Sequence, residues 1–420
     1  MLNTRCSAVW LTVPWTLVAA SQAYASAEGY YQWLTSCVEA VEKDLPAITA
    51  SAEGAAARYV KEDYELGVYG DDGVVGEVHG RSGGMMRLYV DVPQAQHFLG
   101  KAGLKCIVLV ALREDNLDGT IARAKEFNKA GAKHLVAIGR KELLDKATAA
   151  GLVFDAAFDS HAAPHGGLLE DTAGTWRVPT DPVASMVVAW TWTGEFAAAC
   201  TRLGKMPPMY LGFAVPGGVE RAKKIGDIKF HEGEPKPTPA GAVGKEFLAE
   251  LGKNLAALHA QEMGKVRQVA ELAAQSRAAG KAVYCFVHGH AVLGHLPYPP
   301  NDPGFFKRAN RSWFDLDKSI QFNAGDFVFC VGFDTVFQGK EWGDFAENAR
   351  KAGVKLAWSL TTYRTEDIKT IPADEPLISQ HWAMGDAVAT IAGYDVKVLP
   401  TSGVLAEAVY WMVNAEMLRR

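Results

Sequence analysis

The chain has 420 residues, is 49 % hydrophobic and 22 % charged, and carries a formal net charge of −5. This composition excludes disordered and fibrous chains, and the length suits two or three cores rather than one. The absence of a polybasic run argues against nucleic acid or anionic lipid as a partner.

The first 25 residues predict a cleavable export signal. "MLNTR" is a short n-region with Arg5, "AVWLTVPWTLVAA" an apolar h-region of 13 residues, and "AYA" a small-x-small cleavage pattern that leaves Ser26 first. The h-region is shorter than the roughly 20 residues that span a bilayer. The mature chain is therefore expected in the periplasm or secreted, with no membrane contact after cleavage; an N-terminal anchor or a misassigned start is the alternative. Cleavage leaves Cys37, Cys106, Cys200, Cys285 and Cys330, an odd set in apolar contexts such as "KCIVLV", which reads as buried free thiols.

The chain then repeats itself at an offset of about 220 residues. Residues 30–60 and 245–280 carry apolar residues at spacings of three and four and predict helices that lay one face on a core. "ELGVYGDDGVVGEV" (65–78) lines up with "YCFVHGHAVLGHL" (284–296). "CIVLVALREDNLDGTIARAKEFNKAGAKHLVAI" (106–138) lines up with "FVFCVGFDTVFQGKEWGDFAENARKAGVKLAWSL" (327–360). Each is a strand, a polar turn, an amphipathic helix closed by "KAG", and a second strand. "WRVPTDPVASMVVAWTWTGEF" (176–196) lines up with "VKVLPTSGVLAEAVYWMVNAEM" (396–417). The Pro- and Gly-rich stretch 226–244 reads as a linker between a first domain, 26–225, and a second, 245–420.

Strands apolar throughout suit parallel sheets covered on both faces. The predicted fold class is α/β: two tandem three-layer αβα sandwiches with parallel sheets, related by internal duplication. Ligands of such sheets sit at the carboxyl ends of the strands.

This pattern resembles the sugar isomerase (SIS) family, in particular members with two such domains in tandem, over residues from about 30 to 420. The resemblance is carried by the initial helix, the glycine loop "YGDDGVVGEVHGRSGG", the strand–turn–helix unit ending "AGAK", and their repetition. It implies a sheet that binds phosphorylated sugars through Ser- and Thr-rich turns, with a paired domain completing the site. The positions this marks in the first half are Gly70, Asp72, Gly73, Arg81 and Ser82, with Asn116, Gly119 and Thr120 in "REDNLDGT". In the second half they are His288, Gly289 and His295, then Thr335, Gly339 and Lys340 in "FDTVFQGKE", and Thr361, Thr362 and Arg364 in "TTYRTED". The family's S-x-S-G-x-T phosphate turn is kept only as Gly119–Thr120 and as Thr335, Gly339 and Lys340. Glu114, Asp115 and Asp118 beside the first turn repel a dianion, so the second half is the better phosphate site. A neutral or acidic sugar is the other ligand class the sequence admits.

The stretch "VHGHAVLGH" sets Gly289 on Asp71, His290 on Asp72 and His295 on Glu77. Its histidines read as ligand-lining groups, as structural histidines, or as metal ligands, with His381 and Asp334 as further donors. The unmatched segment that follows offers Tyr298, Phe305, Phe306 and Trp313 for stacking on a sugar. His161 and His165 read as solvated loop, Thr401 and Ser402 as helix caps, and the tryptophans of "AWTWTGEF" as core.

The leading expectation is an exported protein that binds a sugar or sugar phosphate, with aldose–ketose isomerisation as its enzymatic form. The required base and acid are assigned to Glu341, His290 and His381, Glu341 standing at a helix start that favours its ionised form. A non-catalytic sugar-binding protein and a metal-dependent hydrolase using His288 and His290 are the alternatives. No cofactor is predicted; the expected partner is a small-molecule carbohydrate, and the fold permits a homo-oligomer.

Overall fold

The computed structural model describes residues 26–90, 105–130, 132–213, 215–226, 228–232, 235–288, 298, 300–309, 317, 319–332, 340–361 and 371–420. The first half opens with helix α1 (Ala27–Lys61) and strand β1 (Glu65–Gly70). Helix α2 (Asp72–Val78) and strand β2 (Cys106–Ala111) follow, then α3 (Leu117–Ala130), β3 (Ala132–Gly139), α4 (Lys141–Ala149) and β4 (Ala156–Asp159). A hairpin, β5 (Gly167–Glu170) and β6 (Trp176–Pro179), leads into α5 (Asp181–Arg202), and the short α6 (Gly218–Ile225) comes next.

The second half also opens with a long helix and closes with a hairpin and a helix. Helix α7 (Ala242–Ala278) is followed by β7 (Val283–His288), β8 (Lys307–Arg308), β9 (Phe327–Gly332), α8 (Lys340–Lys351), β10 (Lys355–Leu360) and β11 (Leu377–Ser379). A hairpin, β12 (Ala387–Ala389) and β13 (Val398–Pro400), then leads into α9 (Ser402–Leu418). The predicted glycine C-cap is present after α8, where Gly353 has φ +76°.

Strand order confirms the parallel α/β class. The second sheet runs β11-β10-β9-β7-β8, all parallel. The first runs β1-β2-β3-β4, also parallel. On the open edge of β1, Tyr89 bridges Gly67 in parallel, where β8 lies against β7. In both sheets the chain starts in the middle, steps to one edge, and returns to build the other side. The strand order therefore reverses between β1 and β2 and between β7 and β9, and such reversals open a crevice at the strand ends.

Alternate residues of each strand face different layers, as the pleat requires. In β2, Cys106, Val108 and Val110 join Leu117, Ile121, Phe127 and Leu143 of α3 and α4 on the outer face. Ile107, Leu109 and Ala111 face inward and join the core of α1 and α5. In the second sheet Val328 and Cys330 meet Phe345 and Ala349 of α8, while Phe327, Phe329 and Val331 turn inward. The two inward faces belong to one continuous core, where α1, α5, α7 and α9 pack on one another. Helices α5 and α9 are buried almost from end to end, which explains why "ASMVVAWTWTG" and "GVLAEAVYWMV" are apolar all round rather than striped. The five cysteines are free and buried, as their contexts predict.

Two expectations change. The glycine loop after β1 is helical from Asp72, because the Asp71 carboxylate caps Gly73 and Val74 N–H at 2.8 and 3.1 Å. The linker is anchored rather than loose: Thr238 N–H donates to Thr201 Oγ1, Arg202 donates to Thr238 O, and α7 already begins at Ala242.

The helix that follows each hairpin caps the first helix of the other half. Glu195 on α5 accepts Gly241 and Gly244 N–H at 2.7 and 2.8 Å and the Thr49 hydroxyl at 3.1 Å. Glu416 on α9 accepts Ala27 N–H at 3.1 Å. Glu195→Ala leaves those buried donors unpaired and should cost on the order of 2–4 kcal/mol in urea unfolding. The exposed Glu39→Ala should be neutral in the same measurement.

Candidate functional site

At the first reversal, β1 ends in Gly70 with φ +113°, where a Cβ would lie 1.9 Å from Ala111 O, so only glycine fits. Asp71 follows, buried, with its N–H on Ala111 O at 2.9 Å. Its second carboxylate oxygen accepts the hydroxyl of Tyr298, which reaches in from the second half. The Arg113 guanidinium lies 4.8 Å over the Tyr298 ring. Burial pushes the Asp71 pKa up, opposed by the Tyr298 hydroxyl and Arg113. The crevice of the first sheet is thus filled by Tyr298. That residue is a core side chain here and not a platform for sugar. Phe306 likewise packs on Phe329 and Tyr410, and Phe305 lies under Arg277; Trp313 lies outside the described residues.

Beside this crevice the start of α3 forms a cavity of about 320 Å³ lined by Glu114, Asp115, Asn116, Asp118, Gly119 and Lys146. Asn116 and Gly119 are exposed there and Thr120 is buried behind them. Its cations already have carboxylates: Arg113 pairs with Asp115, Arg140 with Glu114, and Lys146 lies 3.7 Å from Glu114. The charge set is unsuited to a phosphate dianion. Asp72 is exposed on the first turn of α2, and Gly73 is buried beneath it.

Arg81 is buried and Ser82 half-buried, and both are bonded to the second half. Arg81 donates to Glu77 at 3.2 Å, to Asp386 at 2.9 Å and to Ser402; Ser82 donates to Gly385 O at 3.0 Å. They bind the first half to the start of α9. The cap of α9 is supplied by Asp386, which accepts Ser402 N–H at 3.0 Å, rather than by Thr401 or Ser402. A side chain at Gly403 would collide with the Glu77 carboxylate. Burial pushes Glu77 up to about 7, helped by Asp386 and opposed by Arg81.

At the second reversal, His288 ends β7, and Lys340 and Glu341 begin α8 as expected. Gly289, His290, His295, Asp334, Thr335, Gly339, Thr362 and Arg364 lie outside the described residues. Thr361 is buried and donates to Trp382 O. Gln380 ties the strand ends together, donating to Gly332 O and Ser359 O at 3.0 Å each.

His381 follows β11 with φ +59°, an unusual conformation for a non-glycine residue and a form of stored strain. Its Nε2 lies 3.4 Å from Glu262 Oε1 on α7, and Glu262 Oε2 accepts Lys265 Nζ at 2.9 Å. Glu262 is buried. The three groups line a cavity of about 440 Å³ with Gln261, Gln268 and Ser379. His161 occupies the matching place in the first half: it follows β4, has φ +59°, and sets Nε2 2.7 Å from Asp44 on α1. It is half-buried and bonded, not solvated loop. Sequence reasoning missed this pair, although "DSH" and "SQH" lie at the repeat offset and signal it.

Among the described residues no group of three His, Cys, Asp or Glu side chains is placed to hold a metal, and no helix is long and apolar enough to cross a membrane.

No family model matches the chain, and no curated protein matches it. Among solved structures it is similar to a candidate phosphosugar isomerase from Silicibacter pomeroyi DSS-3, at 11 % identity and TM-score 0.43, covering 94 % of this chain and 97 % of that one. It is similar to a candidate tagatose-6-phosphate ketose/aldose isomerase from Clostridium novyi NT, at 10 % identity and TM-score 0.47, covering 93 % and 87 %. A candidate sugar-binding protein from Salmonella typhimurium LT2 gives 12 % identity and TM-score 0.45, covering 93 % and 98 %. The fold class itself rests on the strand order and layers described above.

Glu77 yields a pH test. A carboxyl raised from 4.5 to about 7 by folding stabilises the native state while protonated, and that contribution fades as pH rises through 7. The unfolding free energy of Glu77→Gln relative to wild type should therefore rise by about 3 kcal/mol between pH 4.5 and 7.5. A pH-independent difference would show that folding leaves the Glu77 carboxyl at its unfolded pKa.

Proposed function

We propose that this chain binds a sugar or sugar derivative in the cavity beside β11 and isomerises it between aldose and ketose forms. The observation that carries this reading is His381, held in a left-handed backbone conformation with its ring against the buried Glu262 carboxylate inside a polar cavity. An enediol path needs a base that takes the C2 proton and returns it at C1. The His381 imidazole accepts that proton, and the Glu262 carboxylate beside it holds the ring in place. Gln261, Gln268 and Lys265 supply donors for hydroxyl and carbonyl oxygens, and charge growing on the carbonyl oxygen is met by Lys265. Glu341, the second candidate from sequence, stands at the start of α8, and His290, the third, lies outside the described residues.

The test is exchange of the C2 proton of aldoses and their phosphates in heavy water, followed by NMR. Wild type should exchange, and His381→Gln should lose roughly 10²–10⁴-fold in rate with the fold unchanged by circular dichroism. Binding without exchange would make the chain a sugar-binding protein, and exchange undiminished in His381→Gln would remove His381 from the chemistry.

We also propose export with cleavage after Ala25. Ser26 caps α1, its hydroxyl accepting Gly29 N–H at 3.1 Å, so this cut leaves the helix cap in place. Intact mass of protein from the periplasmic fraction should begin at Ser26; a cytosolic product of full mass would overturn this.

A further inference from the structure

The cavity at His161, unlike its counterpart, is lined by indoles. Its volume is about 380 Å³, and its walls include Trp33 and Ser36 of α1, His161 and Leu168, and Trp176 of β6. Among the described residues no Phe, Tyr or Trp lines the His381 cavity. Both indoles are half-buried. Trp33 is fixed by its Nε1–H on His161 O at 3.3 Å and by an edge contact with Tyr30 at 5.0 Å. The His161 ring is fixed by Asp44 at 2.7 Å, with Asp159 3.9 Å from its other nitrogen.

We infer that this cavity is a second carbohydrate site, one that takes a single uncharged pyranose ring. A pyranose presents C–H bonds on its faces and hydroxyls around its rim. It needs flat apolar walls with a few fixed polar groups at the edge, the composition of small-ligand sites generally. Trp33, Trp176 and Leu168 supply the walls; Gln32, Ser36 and His161 supply the edge. The nearby carboxylates of Asp44 and Asp159 disfavour a phosphorylated or acidic sugar. The left-handed backbone at His161 persists because the surrounding bonds over-determine it, and such strain collects at ligand sites. This site does not depend on the reading of His381.

Saturation-transfer NMR with methyl β-glucoside, methyl β-galactoside and N-acetylglucosamine, each at millimolar concentration, tests the site. At least one should receive saturation, and hexose 6-phosphates should not compete with it. Trp176→Ala should reduce the signal at least five-fold, Trp176→Phe should retain most of it, and His381→Gln should leave it unchanged. Absence of transfer to all three sugars overturns the proposal, as does a signal that survives Trp176→Ala. Loss of transfer in His381→Gln alone would place the bound sugar in the other cavity and also overturn it. A flat Trp176→Ala response with C2 exchange intact would remove this site while leaving the isomerase reading standing.

Discussion

A backbone hydrogen bond ties each hairpin to a loop that crosses from the opposite half. Val178 N–H meets Asn301 O, and Leu399 N–H meets Gly83 O, each at 2.9 Å. Val178 and Leu399 have φ +63° and +66°, a costly conformation for side chains of their bulk. Both residues are fully buried, so the strain is held by packing on all sides. Where one crossing loop continues, Asn301 donates to His165 O and Trp176 O; where the other begins, Arg81 reaches Asp386. The orientation of the two sheets follows from this exchange.

The seam along which the loops cross is polar and buried. Asp71, Tyr298 and Arg113 occupy one end, and Glu77, Arg81, Asp386 and Ser402 the other. Burying so many charges adds little net stability, because desolvation offsets the attraction. Its effect is directional: a sheet rotated out of place would leave ions unpaired in a dry interior. The apolar inner helices supply the bulk of the cohesion, and the seam selects one arrangement among those the apolar surfaces would accept.

The class of fold was legible because it rests on local pattern. Apolar strands such as "CIVLVA", glycine C-caps and the recurrence of three segments in order are properties of neighbouring residues. The tryptophans of α5 were correctly placed in the core for the same reason. What escaped was set by long-range contact. Nothing beside Tyr298 in the chain says that its hydroxyl ends on Asp71, or that Arg81 is used up by a hairpin some 300 residues away. Thr401 looked like a cap, yet Asp386 does that work from the turn before β12. His161 had a readable signal in its spacing from His381, but the residue type alone suggested a surface loop.

Having both halves in one polypeptide removes a restriction that a two-fold dimer cannot escape. In a dimer every substitution appears twice, so each contact at the axis must suit its own rotated copy. Here each position can vary alone. Indoles line the cavity at His161 while a lysine lines the one at His381. Covalent continuity therefore lets one architecture offer two chemically distinct cavities on a single rigid frame.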